Sequence, residues 1–180
     1  MTEELQELQE HAEHAKHDPS LAPVTLTMAV LAVLVATVSL LGHRTHTEEV
    51  VLQNKVTDQW AYYQAKNIRR HNDELFADLA AVIPTKDGEA AAKLGEKYRA
   101  EAERYRDEQK ELDAKARELQ QETELARRKA DRFDLSEVFL EIGLVITSIT
   151  LLSGKRIFWR SGLLLACVGI VVVLTGWLLH

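Results

Sequence analysis

Three stretches of the chain carry no charge: residues 24–41 (VTLTMAVLAVLVATVSLL), 142–153 and 161–179. A helix needs about eighteen or more such residues to cross a hydrocarbon core of about 30 Å. The first and third stretches reach that length. The second reaches it only if it begins near Leu135, which brings Glu137 and Glu141 inside. Between the first and second stretches the pattern changes to polar residues with apolar ones at helical spacing. On the later side, Tyr98, Ala102, Tyr105, Gln109, Leu112, Ala116, Leu119, Thr123, Ala126, Ala130 and Phe133 alternate steps of four and three. That is the rhythm of a coiled-coil seam. On the earlier side, Leu52, Val56, Trp60, Tyr63, Asn67, His71, Leu75, Leu79 and Val82 recur mostly at four-residue steps.

Breakers divide this pattern. Pro19 and Pro23 precede the first apolar stretch, and Pro84 lies in the turn signal IPTKDGE over residues 83–89. Asp87 is placed to cap a helix that follows it. The predicted helices run over roughly 24–82 and 88–153. The fold class expected is all-α: three transmembrane helices, with a long antiparallel helical hairpin, a coiled-coil stalk, between the first and second spans. The segments are an acidic amphipathic tail (1–20), a first span (21–42), the hairpin (43–134, turning at 83–88), a second span (135–154), a basic loop (155–160) and a third span (161–179). The stalk core falls to Trp60, Tyr63, Tyr98, Tyr105, Leu112 and Leu119. Gln109 in the seam can fix register. Acid-first pairs at four-residue spacing (Glu89–Lys93, Glu111–Lys115, Asp113–Arg117, Glu124–Arg128) support the outer face.

Each apolar stretch also carries small residues at the same rhythm. These are Thr25, Ala29, Ala32, Ala36 and Ser39 in the first, Gly143, Thr147, Thr150 and Gly154 in the second, and Gly162, Ala166, Gly169, Val173 and Gly176 in the third. Helices in lipid associate by close contact along such stripes. Ala29, Ala32, Ala36, Gly143, Gly162, Gly169 and Gly176 are therefore the expected helix-packing positions, within and between subunits.

Composition changes little once position is known. A mean hydropathy of −0.18 and 28 % charged residues describe a soluble domain only as an average over apolar and charged blocks. The net charge of −6 resides mostly in the tail and argues against nucleic acid as a partner. A single cysteine, Cys167, excludes an intrachain disulfide and a cysteine zinc site. The leading segment is acidic and no small-residue cleavage site follows residues 24–41, so that stretch reads as a span rather than a signal peptide. Lys155, Arg156 and Arg160 lie on one side of the spans, while Arg44, Lys55, Arg127, Arg128, Lys129 and Arg132 lie on the other. The larger basic group favours a cytoplasmic stalk on a multi-pass membrane protein. Trp159 and Trp177 fit the membrane interfaces.

Chemistry is sparse. Glu137 and Glu141 stand one helical turn apart, and an acid inside a span points to an ion path or proton site. Glu7, Glu10, His11 and His14 form four-residue pairs on the tail that could hold a divalent metal, with a solvated helix end as the plainer reading. His43 and His46 flank the end of the first span. No phosphate loop, dinucleotide fingerprint or nucleophile elbow is present, and two long helices offer no enzyme-like cavity. The expectation is a protein that is not an enzyme and uses no cofactor.

The stretches EHAEHAKHDP (10–19), SLLGHRTHTE (39–48), VTDQWAYYQAKNIR (56–69), EKYRAEAERYRDE (96–108) and FDLSEVFLEIGLVITS (133–148) resemble the uncharacterised bacterial membrane-protein family filed as domain of unknown function 4337. WAYYQAK and FDLSEVFLEI carry the most specific likeness. The resemblance implies a bacterial membrane protein and nothing catalytic. It makes Trp60, Tyr62, Tyr63, Gln64 and Lys66 part of a family pattern; on physical grounds Trp60 and Tyr63 fall in the hairpin core, while Tyr62 and Lys66 share the neighbouring face, which could meet another subunit. Two functions stay open. One is a homo-oligomeric scaffold or interaction protein, bound to the bilayer and to itself, with an unknown protein partner through the stalk. The other is an ion-conducting or ion-sensing oligomer using Glu141.

Overall fold

The computed structural model describes residues 21–84 and 86–179, and every element among them is helical. Helix α1 spans Ala22–Val82, α2 spans Gly88–Ser153 and α3 spans Arg156–Trp177. All three contain a stretch long and apolar enough to cross a membrane. The first two helices follow the predicted 24–82 and 88–153 closely, because past their first turns they hold no proline, only the isolated glycines Gly42, Gly95 and Gly143. Asp87 caps α2 as its spacing suggests: its Oδ1 accepts the Ala90 N–H at 3.0 Å.

The basic loop expected over 155–160 is corrected. The chain is helical from Arg156 onward, and the connection is Gly154 and Lys155 alone. Gly154 sits at φ 65°, a left-handed conformation that costs glycine little. It ends α2 abruptly, so two residues reverse the chain and the basic residues join the first turns of α3.

Contacts divide the chain into two units. One comprises Met1–Glu48 with Leu125–His180, and the other Glu49–Glu124. In the first, Leu31 and Val38 of α1, Phe133 and Leu140 of α2 and Ala166 of α3 form the core, and Leu34, Val35, Leu41, Leu144 and Val173 pack around it. The second unit is narrower. Val56 and Ala77 of α1 and Ala102, Gln109, Ala116 and Thr123 of α2 are buried, with Tyr98, Tyr105, Leu112 and Leu119 half-buried between the latter. The alternating seam of α2 is therefore the buried line of that helix.

The line expected on α1 holds only in part. Leu52, Val56, Trp60, Tyr63 and Asn67 are buried or half-buried, but His71, Leu75, Leu79 and Val82 are exposed, Leu75 by 56 % and Val82 by 79 %. Four-residue steps overshoot a helical turn by about 40° each, so a line drawn through them drifts off the buried face. The inward positions past Tyr63 are instead Lys66, Asn67, Arg70, Asp73, Glu74 and Ala77. Lys66, Arg70, Asp73 and Ala77 among them keep the three-and-four alternation.

Candidate functional site

In the unit formed by 21–48 and 125–179, α2 and α3 approach closely along glycine. A Cβ added to Gly143 would lie 3.0 Å from the Gly162 carbonyl oxygen, and one added to Gly169 would lie 3.0 Å from Leu140 Cγ. Ser136 Oγ donates to the Gly169 carbonyl at 2.9 Å, and Ser136, Leu140, Thr147 and Thr150 are fully buried. Gly143, Gly162, Gly169 and Gly176, named from the sequence as packing positions, are all buried within this chain. The residues missed are Ser136 and Leu140. Extending the Gly143–Thr147–Thr150 rhythm backward by three and four residues reaches both.

The stripe on α1 lies differently. Ala29 and Ala36 are exposed and Ala32 is half-buried, while the larger Val24, Met28, Leu31 and Val38 face inward. Large side chains fill the core, and the small stripe lies at its edge, with Ala29 and Ala36 outward and Thr25, Ala32 and Ser39 half-buried. Two polar ties join the helices near the ends of the apolar stretches. Trp159 Nε1 donates to Thr27 Oγ1 at 3.1 Å, and His46 Nε2 lies 2.9 Å from Asp134 Oδ2. His43 is exposed, as is Cys167 on α3.

Glu141 is exposed and Glu137 half-buried. Neither points into the core of the unit. The helix buries their neighbours Ser136 and Leu140 instead. The metal candidates Glu7, Glu10, His11 and His14 lie outside the described residues. Among the described residues no group of three or more His, Cys, Asp or Glu could hold a metal ion.

In the unit of 49–124 the most constrained charge is Lys66. Its Nζ donates to Glu108 Oε2 at 2.5 Å and lies 4.8 Å from the Tyr105 ring centre and 5.5 Å from that of Tyr62. The side chain is only 15 % exposed. Its hydrogen bond to Glu108 holds its pKa above the ordinary 10.5, against an opposing push from burial. Lys66 thus faces α2 rather than the neighbouring face expected, because that position keeps the inward alternation. Trp60 and Tyr63, both half-buried, meet edge to face at 5.5 Å, and Phe76 stacks on Tyr98 at 5.3 Å. Gln109 is buried in the seam with its Nε2 unpaired, a destabilising element that suits a register-setting role. The pairs Glu89–Lys93 and Asp113–Arg117 close at 2.7 and 2.8 Å.

Toward the 84–87 turn the unit changes character. Leu75, Phe76, Leu79, Val82, Ile83 and Leu94 are all exposed. Beside them, Ala77, Ala80, Ala81, Ala92 and Gly95 line a shallow groove of about 420 Å³, with Glu96 and Arg99 at its rim. Small side chains leave the helices bare here.

No curated protein and no solved structure matches the chain. The resemblance drawn from WAYYQAK and FDLSEVFLEI is upheld by a family match over nearly the whole chain. The chain belongs to the family described as Domain of unknown function (DUF4337), matched over residues 20–179.

Proposed function

We propose that the protein is a homo-oligomeric membrane scaffold or interaction protein without catalytic activity. It crosses a bacterial inner membrane three times, with residues 43–134 as an antiparallel hairpin on the cytoplasmic side. The observation that carries this reading is the bareness of the apolar helices. Only 22 %, 28 % and 17 % of their most apolar stretches are buried within the chain. Water would not tolerate so much continuous apolar surface, whereas lipid does. The face left outward on α1 includes Ala29 and Ala36, small residues of the kind that let helices of neighbouring copies approach.

The hairpin is supported by its contacts. Gln59 reaches the Leu112 carbonyl, Lys66 reaches Glu108, and Phe76 stacks on Tyr98. Positions advance on α1 as they retreat on α2, which is antiparallel pairing. The bare apolar stretch around Leu75, Leu79 and Val82 supports a protein partner at that end, since a solvated helix rarely exposes such a run.

Carbonate extraction and native mass spectrometry in mild detergent test the proposal together. The chain is expected in the membrane pellet and as a complex larger than one 20.4 kDa chain. Ala36→Leu should break that complex without unfolding the chain, because the position is exposed. Release into the supernatant, or a monomer for the wild type, would overturn the reading.

One observation favours the second function. Glu141 lies in the apolar part of α2, is exposed, and is paired with no cation among the described residues. A carboxylate there is costly against lipid and stable along a wet axis between copies. Purified protein in planar bilayers should then pass cations, with the current altered by Glu141→Gln. A silent bilayer containing folded oligomer removes this alternative.

A further inference from the structure

We infer that the crevice between α2 and the end of α3 is a binding site for the phosphate of an anionic phospholipid headgroup. The inference rests on the membrane reading above. The crevice has a volume of about 380 Å³ and is lined by Lys129, Phe133, Gly176, Trp177 and Leu178. Its geometry follows from Gly176. A Cβ there would lie 2.9 Å from Arg132 Cβ, so α3 ends tightly against α2 with the Arg132 stem alongside. Phe133 is buried and forms an apolar floor.

The charge is one-sided. Lys129 is half-buried, Arg132 is exposed, and neither has an acidic partner among the described residues. Arg127 precedes them, which puts three cations within six positions besides Arg128. The one acid among those six positions, Asp131, is exposed, and Asp134 just beyond them lies against His46. The carbonyls at the end of α3 carry about half a negative charge, which one ammonium more than offsets. A positive surplus therefore remains beside the apolar wall.

That combination matches a lipid rather than a small soluble anion. Trp177 is 72 % exposed and Leu178 68 % exposed at the end of an apolar helix. An indole at that level sits among headgroups. A phosphate oxygen would accept from Lys129 and Arg132 while an acyl chain lies along Trp177 and Leu178. Basic pockets between spans at the membrane surface hold acidic lipids in this way.

Native mass spectrometry of the full chain in detergent, with equal phosphatidylglycerol and phosphatidylcholine, tests this. Wild type should retain phosphatidylglycerol preferentially. Lys129→Met with Arg132→Met should weaken that retention about thirtyfold, as expected for two basic groups at a surface. Lys129→Arg should keep it, and Lys155→Met at the other end of the apolar helices should not change it. Millimolar inorganic phosphate should not displace the lipid, and displacement would assign the site to a free anion instead. Equal retention of both lipids by wild type, or unchanged retention in the double variant, would overturn the inference. Should the double variant misfold, Trp177→Ala, at an exposed position, is the second arm: it should lower retention, and retention equal to wild type would refute the site. The same spectra report subunit number, so loss of the oligomer with lipid retained counts against the scaffold reading alone.

Discussion

Gly162→Ala is the smallest change that tests how α2 and α3 meet. A Cβ at Gly162 would fall on Thr147 Oγ1, 2.7 Å from the Gly143 carbonyl oxygen and 3.2 Å from the Thr147 nitrogen. Two of these atoms are backbone and cannot rotate away. The third is fixed as well, because Thr147 is fully buried and its Oγ1 donates to the Gly143 carbonyl at 2.7 Å. The helices must therefore separate. Overfilling of this kind costs about 1–3 kcal/mol, while alanine returns up to about 1 kcal/mol of helix propensity. The expected net loss is about 1–2 kcal/mol. Unfolding in mixed micelles by increasing dodecyl sulfate, followed by circular dichroism, would measure it. Thr147→Ala alone should cost about 1 kcal/mol through its lost hydrogen bond. Combined with Gly162→Ala, it removes one of the obstructing atoms, so the double variant should be more stable than the sum of the single changes predicts. If Gly162→Ala is as stable as wild type, the close approach is refuted and with it the arrangement of this unit.

Ser136→Ala removes the Oγ donor to the Gly169 carbonyl and should cost about 1 kcal/mol in the same titration. Lys66→Met should destabilise the 49–124 unit at neutral pH. Because Glu108 raises the Lys66 pKa above 10.5, the contribution is full below that value and disappears as pH rises through the folded pKa. Thermal melts should therefore show wild type and variant converging above about pH 10.5, and a gap that persists at higher pH would refute the charge-based account. Asp87→Ala should cost about 1 kcal/mol and speed hydrogen exchange at the Ala90 amide, whose bond to the Asp87 carboxylate is lost.

Local signals made most of the helical layout legible. Uninterrupted apolar and charged runs, two breakers and one capping residue determine where α1 and α2 begin and end. The seam of α2 was readable because its three-and-four alternation is the one period that keeps a line on one face. The matching line on α1 was not, because Leu75, Leu79 and Val82 are large and apolar while the inward residues are Lys66, Arg70 and Ala77. There the contact depends on which residues of α2 stand opposite, Tyr105 and Glu108 for Lys66. A single strand of sequence holds no such register. The glycine stripe of α3 was legible as a packing surface, but its partner was not. Sequence shows that a face is narrow, whereas the neighbour that fills it depends on the Gly154 turn.

Glu137 and Glu141 follow from the same reasoning. Along α2 in the first unit, the buried positions are Ala126, Ala130, Phe133, Ser136, Leu140, Gly143, Thr147 and Thr150. The steps alternate between four and three, except that two steps of three meet at Phe133. Had the alternation continued, the next inward residue would be Glu137, and an ionised carboxylate would enter an apolar core at a cost of several kcal/mol. The short step turns the buried face back by about 100° and brings in Ser136, whose hydroxyl finds the Gly169 carbonyl. The same shift seats Leu140 against Gly169 and leaves Glu141 outside. Both acids are thus kept out of the chain's own core by one displaced step. Among the described residues Glu141 has no cation beside it, so the chain's own helices leave this carboxylate facing outward from an apolar stretch.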